Sequence, residues 1–261
     1  MKGFLNMHLI QLLFLFVLLN PSFLMAQDEP IIFYGDSEQV PQVNSPADES
    51  GLLLSKNPEL LIYSRTHNRY KSSSVFMPTD IWVAEGILNR ILDLDSKSIH
   101  TAVGFLNQNQ TFVYASLREQ GAGYQTQLII ADWLDGNLAN SRSFEMKYFK
   151  NKSPYFSAAF SPDGKHMVMS MEANVTMGVE DLYVSHVQEN GDWSPPMTLG
   201  YGINTRAQEM TPFLAQDNET LFFATNGRDG WGSFDIYYAK RLDDTWQKWS
   251  APINLGSKIN T

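Results

Sequence analysis

Along most of the chain the apolar residues come in short bursts separated by polar turns, and the pattern is clearest between Thr211 and Leu255. Thr211-Pro212-Phe213-Leu214 reads as a strand, with Gln216 to Glu219 as the turn that closes it. Thr220-Leu221-Phe222-Phe223-Ala224 is an unbroken apolar run, which suits a strand buried on both faces. The three glycines of Asn226 to Gly232 permit backbone angles that other residues resist, so this stretch reads as a loop. Phe234 to Lys240 is a third strand, and a weaker outer strand around Ile253 to Leu255 follows a Trp-Ser-x-Pro turn. No stretch after residue 26 sustains a 3.6-residue period. The pattern predicts strands.

The same unit recurs upstream. Phe160-Ser161-Pro162-Asp163-Gly164-Lys165 corresponds to Leu214-Ala215-Gln216-Asp217-Asn218-Glu219, and Asp181-Leu182-Tyr183 to Asp235-Ile236-Tyr237, each 54 positions apart. Trp193-Ser194-Pro195-Pro196 returns as Trp249-Ser250-Ala251-Pro252, 56 positions on. Leu199-Gly200 and Ile203-Asn204-Thr205 return at the same offset as Leu255-Gly256 and Ile259-Asn260-Thr261. A weaker copy places Val43-Asn44-Ser45, Glu49, Leu54, Asn57, Glu59 and Leu61 160 positions before their counterparts, followed by Asp80-Ile81-Trp82. The most diverged copy runs from Ile99-His100-Thr101 through Phe112-Val113-Tyr114 to Gln127-Leu128-Ile129, without the aspartate. Four repeats therefore begin near 43, 99, 150 and 203.

Four short strands per unit of roughly 50 residues is the signature of propeller blades. The expected fold is all-β, a β-propeller of four-stranded antiparallel blades at about 43–98, 99–149, 150–202 and 203–261. Residues 27–42 read as a linker, with Ile31-Ile32-Phe33-Tyr34 as a strand able to close the ring. Ile259-Asn260-Thr261 stands where another unit would start. The expectation is a ring with blades missing or closed by a partner, because an unpaired blade edge invites another chain.

The units with Ser-Pro-Asp-Gly-Lys, Asp-x-Tyr and Trp-Ser-x-Pro…Leu-Gly…Ile-Asn-Thr resemble the WD-repeat-like, TolB-type β-propeller repeat of exported bacterial proteins. The resemblance is strongest over 150–261, fair over 43–97 and weak over 98–149. It implies a non-catalytic interaction or scaffold module in a Gram-negative envelope, with envelope or outer-membrane proteins, secretion machinery among them, as partners. Such repeats also precede OmpA-like domains or accompany proteases, which makes an accessory propeller of a larger protein a further expectation.

Lys2 followed by the apolar run Leu12 to Leu19, the break at Asn20-Pro21 and the small Ala26 form the pattern of a secretory signal peptide over 1–26. No later stretch is long and apolar enough to span a bilayer, so a periplasmic or outer-membrane-associated protein is expected. With 19 Lys+Arg against 28 Asp+Glu the formal charge is −9, which argues against nucleic acid as a partner. The absence of cysteine removes disulfides, thiolate metal sites and cysteine nucleophiles.

Candidate chemistry is sparse. Gly35-Asp36-Ser37 with Asp163-Gly164-Lys165-His166 resembles the nucleophile and Asp-x-x-His blocks of GDS-type lipases, but those enzymes are α/β folds, and Asp163 is a repeated turn residue. Glu49, Asp80, Asp181, Glu209 and Asp235 are the carboxylates a propeller glycosidase would place in its channel. Yet Asp80, Asp181 and Asp235 repeat at one position, as do Asp163 and Asp217, and catalysis needs an asymmetric set. The repetition marks them as structural, and no catalytic residue is assigned. His67, His100, His166 and His186 lack paired ligand spacing, and the loop from Asp229 to Asp235 lacks the alternating ligands of a calcium site. No metal and no cofactor is expected. Trp193 and Trp249 repeat and read as packing between blades, whereas Trp231 and Trp246 have no counterpart. Trp231, with Arg228, Asp229 and Trp246, is the expected contact set, because loops concentrate binding residues.

Overall fold

The computed structural model describes residues 49–54, 60–66, 79–85, 88–94, 98–107, 110–120 and 123–260. The export segment 1–26, the linker 27–42 with Ile31 to Tyr34, the Gly35-Asp36-Ser37 block and His67 lie outside the described residues. Among the described residues there is no helix, and the strands form four sheets of four, each a simple antiparallel meander. The first sheet comprises β1 (Glu49–Leu54), β2 (Leu60–Thr66), β3 (Thr79–Glu85) and β4 (Leu88–Ile91). The second comprises β5 (Ile99–Leu106), β6 (Thr111–Gln120), β7 (Gly123–Leu134) and β8 (Asn137–Ser143). The third comprises β9 (Ser157–Phe160), β10 (His166–Met171), β11 (Asp181–His186) and β12 (Met197–Thr198). The fourth comprises β13 (Glu209–Leu214), β14 (Thr220–Thr225), β15 (Asp235–Lys240) and β16 (Ile253–Asn254). Together they make a four-bladed β-propeller.

The first strand of each blade lies innermost, since neighbouring sheets meet through β1 on β5, β5 on β9 and β9 on β13. The second strands are apolar on both faces because both are covered: β10 and β14 are buried at every position after the first. Three apolar layers separate the blades. Ile62, Ile81, Val83, Phe112 and Tyr114 fill the first seam, and Val113, Leu128, Phe144, Met167, Met169 and Trp193 the second. Val168, Leu182, Leu199, Leu221, Phe223, Tyr237, Trp246 and Trp249 fill the third. Trp193 packs back on Phe144 and Phe160, and Trp249 lies edge-on to Trp246.

The repeat holds in register. Met169 pairs with Tyr183 and Phe223 with Tyr237, the same rungs one blade apart. Gly164 closes its turn at φ +69°, donating to the Ser161 carbonyl, and Asn218 takes the corresponding place at φ 59°. Blade 2 departs from the pattern where its aspartate is missing. There β6 and β7 stay paired out to Gln120↔Gly123, so a continued hairpin replaces the loop seen in blades 3 and 4.

Candidate functional site

Two equivalent loops carry the sequence candidates. In blade 3 the Asp181 carboxylate accepts from the backbone amides of Met177 (2.7 Å) and Gly178 (3.3 Å). In blade 4 Asp235 accepts from Trp231 (2.7 Å) and Gly232 (3.0 Å), and also from the Asn254 side chain (3.0 Å). Each aspartate sits at the first position of the third strand and latches the loop that precedes it. The loop is tied again from the next rungs: the Tyr183 hydroxyl donates to the Val175 carbonyl (2.6 Å), and the Tyr237 hydroxyl to that of Asp229. A Cβ at Gly230 would collide with the Asp235 carboxylate, which fixes glycine at that position.

The connection to the next blade is latched as well. Asn204 accepts from the Leu182 amide (2.8 Å) and donates to the Leu182 carbonyl (3.0 Å). Asn260 does the same with Ile236, at 2.8 and 3.0 Å. The Ile-Asn-Thr motif thus supplies a side-chain amide that completes the backbone of the third strand where the short fourth strand has ended.

Glu209 is buried at the start of β13 and accepts from the Thr205 amide (2.9 Å), the Thr205 hydroxyl (2.7 Å) and the Thr225 hydroxyl (2.8 Å). Glu180, also buried, takes the Ser153 hydroxyl and the Gln208 side-chain amide (2.5 Å), so it links two inter-blade connections. Burial pushes the Asp181 carboxyl above its ordinary value; the amides of Met177 and Gly178 oppose this, and the charges of Glu209 and Glu180 add to it. Glu180 escapes the repeat reading because Phe234 occupies its place in the next unit.

Asp163 and Asp217 are turn residues, accepting respectively from Ser161 and Lys165 and from Glu219 and Thr220. Burial acts to raise the Asp163 carboxyl, but the bonds from Ser161 and Lys165 and the nearby His166 and Lys165 charges hold it below its ordinary value. Asp80 lies half-buried on β3, opposite Arg65 in register. Of the expected contact set, Trp231 is 61% exposed and Asp229 is exposed. Arg228 is half-buried and donates to the carbonyls of Gly202 (3.1 Å) and Ile203 (3.0 Å).

Trp246 does not belong with them. It is 4% exposed, with its ring 4.8 Å from that of His166 on one side and the Arg241 guanidinium 4.8 Å away. It belongs to the third apolar seam, packed edge-on against Trp249. His166 packs beside it with Nδ1 buried and unpartnered, while the His186 ring lies 6.3 Å away. Burial lowers the His166 pKa; Asp163 opposes this, and Arg241, His186 and Lys165 reinforce it. Among the described residues no three His, Asp or Glu side chains stand together as a metal would require.

No family model matches the chain, and no curated protein matches it by sequence. Solved structures do match. TolB from Acinetobacter baumannii superposes with a TM-score of 0.52 at 9% identity, over 76% of this chain and 42% of that one. In fold, this chain is a four-bladed β-propeller similar to the propeller of TolB. A glycoside hydrolase gives a TM-score of 0.53 at 8% identity, over 82% of this chain and 76% of that one. A putative TolB from Agrobacterium tumefaciens gives 0.49 at 12% identity, over 78% and 63%. The chain therefore spans under half the length of the first TolB and under two thirds of the second. At these identities the likeness is one of fold, shared by TolB and by a glycoside hydrolase alike.

Proposed function

We propose that this chain is an exported, non-catalytic β-propeller that acts as a protein-binding scaffold module of a Gram-negative cell envelope, in the periplasm or at the outer membrane. One observation carries the reading. Of the carboxylates considered for acid–base work, Asp181, Asp235 and Glu209 are committed to latching loops and blade connections, as is the buried Glu180. A general acid or base has to reach a substrate proton, and these groups already hold the fold's own donors. The exposed Trp231 on its latched loop is instead the kind of anchor that interfaces use.

A propeller glycosidase is the second reading, favoured by the Asp181 carboxyl that burial holds above its ordinary range beside Glu209 and Glu180. Crosslinking in the native envelope followed by purification of the tagged protein separates the two. The scaffold reading expects a stoichiometric envelope or outer-membrane protein. Glycan turnover by the purified protein, abolished by Asp181→Asn or Glu209→Gln, would overturn it.

A further inference from the structure

We infer that one end of the propeller docks an acidic, aromatic-bearing polypeptide segment of a partner protein; this rests on the binding-module reading. Four connections form a continuous hydrogen-bonded path there, the first setting out from the outer rim, where Met146 runs alongside Trp193 of the β11–β12 turn. Residues 144–156 lead from β8 to β9 and meet the β10–β11 loop, where the Lys152 amide donates to the Glu172 carbonyl (2.9 Å). That loop meets the β12–β13 connection through the Val179 amide and the Ala207 carbonyl (3.1 Å). The β12–β13 connection in turn receives the Arg228 side chain from the β14–β15 loop.

The exposed aromatic rings lie along this path. Among the described residues the exposed ones are Tyr148 (88%), Tyr155 (43%), Tyr201 (85%) and Trp231 (61%), and all four lie on these connections. Around them Lys147, Lys150, Lys152 and Arg206 are exposed, and among the described residues no hydrogen bond or ion pair engages their side chains. Glu145 and Asp229 are the exposed carboxylates of the same four connections. The opposite end is different: its turns expose Asp163, Asp192, Asp217 and Asp244, with Arg241 and Lys248 paired to Asp244 and Asp243 and Lys165 as the one exposed cation of the β9–β10 turn.

A chain of net charge −9 thus carries four exposed cations, Lys147, Lys150, Lys152 and Arg206, on the same connections as its exposed rings. Complementary charge and apolar contact on one patch fit carboxylates carried next to aromatic or aliphatic side chains. A nucleic acid or anionic bilayer presents a dense charge array, which the surrounding acidic protein would repel within about one Debye length of 8 Å. A short acidic peptide segment meets only the local patch.

The probe is a fluorescein-labelled peptide of alternating glutamate and tyrosine, titrated into the full-length mature protein by fluorescence anisotropy. Glutamate–serine and lysine–tyrosine peptides, phosphatidylglycerol vesicles and duplex DNA are run alongside. The expected result is that the glutamate–tyrosine peptide binds tightest, that added salt weakens it, and that K147E/K150E/K152E loses about tenfold in affinity. Y148A/W231A should remove the preference for tyrosine over serine. These side chains are exposed, and matched thermal melts check that the variants fold. Unchanged affinity in the triple variant, or tighter binding of vesicles or DNA, overturns the inference. An envelope partner captured equally by wild type and K147E/K150E/K152E sinks this inference alone, whereas capture of no partner by either sinks the binding-module reading.

Discussion

The aspartates that begin the third strands show how a single side chain organises a blade. Asp235 is buried and carries three donors, two of them backbone amides that have no other acceptor in the loop. Asp235→Ala leaves those donors unmatched, and a loss of about 2–3 kcal/mol in urea unfolding is expected. His166 gives a pH prediction of definite sign. Its pKa is lowered in the folded protein, first by burial and further by Arg241, His186 and Lys165. The unfolded chain therefore binds the proton more readily, and stability falls as pH drops from about 6.5 through the lower folded value. His166→Phe keeps a ring against Trp246 and removes this titration. Thermal melts from about pH 7.5 to pH 5 should show a shallower decline for the variant than for wild type.

Among elements, the blade connections do more than join strands. The fourth strands β12 and β16 are only two residues long, so the third strands lack a full backbone partner on their outer side. Asn204 and Asn260 supply one, each bonding both the amide and the carbonyl of a single residue. Asn204→Ala leaves the buried Leu182 amide without its acceptor while the Leu182 carbonyl keeps the Leu199 amide, and a cost of about 1–3 kcal/mol is expected in chemical denaturation, with Asn204→Asp recovering the accepted bond. Blade 2 solves the same problem differently. Its β7 and β8 run to 12 and 7 residues, and their own ladder takes the place of the latches.

For the molecule as a whole, the described residues make their substantial sheet-to-sheet contacts only between consecutive blades. Stability should then behave as a sum of blades and seams. Trp249 fills the seam between blades 3 and 4, and Trp249→Ala is expected to cost about 3–5 kcal/mol. Hydrogen exchange should quicken in β14 and β10 while β6, one blade removed from that seam, keeps its protection. Equal acceleration in all three strands would show that the propeller opens as one unit.

The architecture is set by periodicity along the sequence. The motifs repeated at 54 and 56 positions mark the same rungs, turns and latches in blades 3 and 4, because a blade is a local antiparallel meander whose strand pairs are neighbours in sequence. Repetition also separated structural aspartates from candidates for chemistry. Where repetition stops, legibility stops. Trp246 and Trp231 look alike in sequence, both aromatic and without a counterpart, yet one fills a seam and the other faces solvent. Glu180, which bridges Ser153 and Gln208, has a phenylalanine in its place one unit later. The exposed rings and cations of the blade connections lie up to 83 positions apart, between Tyr148 and Trp231. Strand pattern is set by each residue's near neighbours, but exposure and charge pairing depend on which blades stand side by side, and only the tertiary structure decides that.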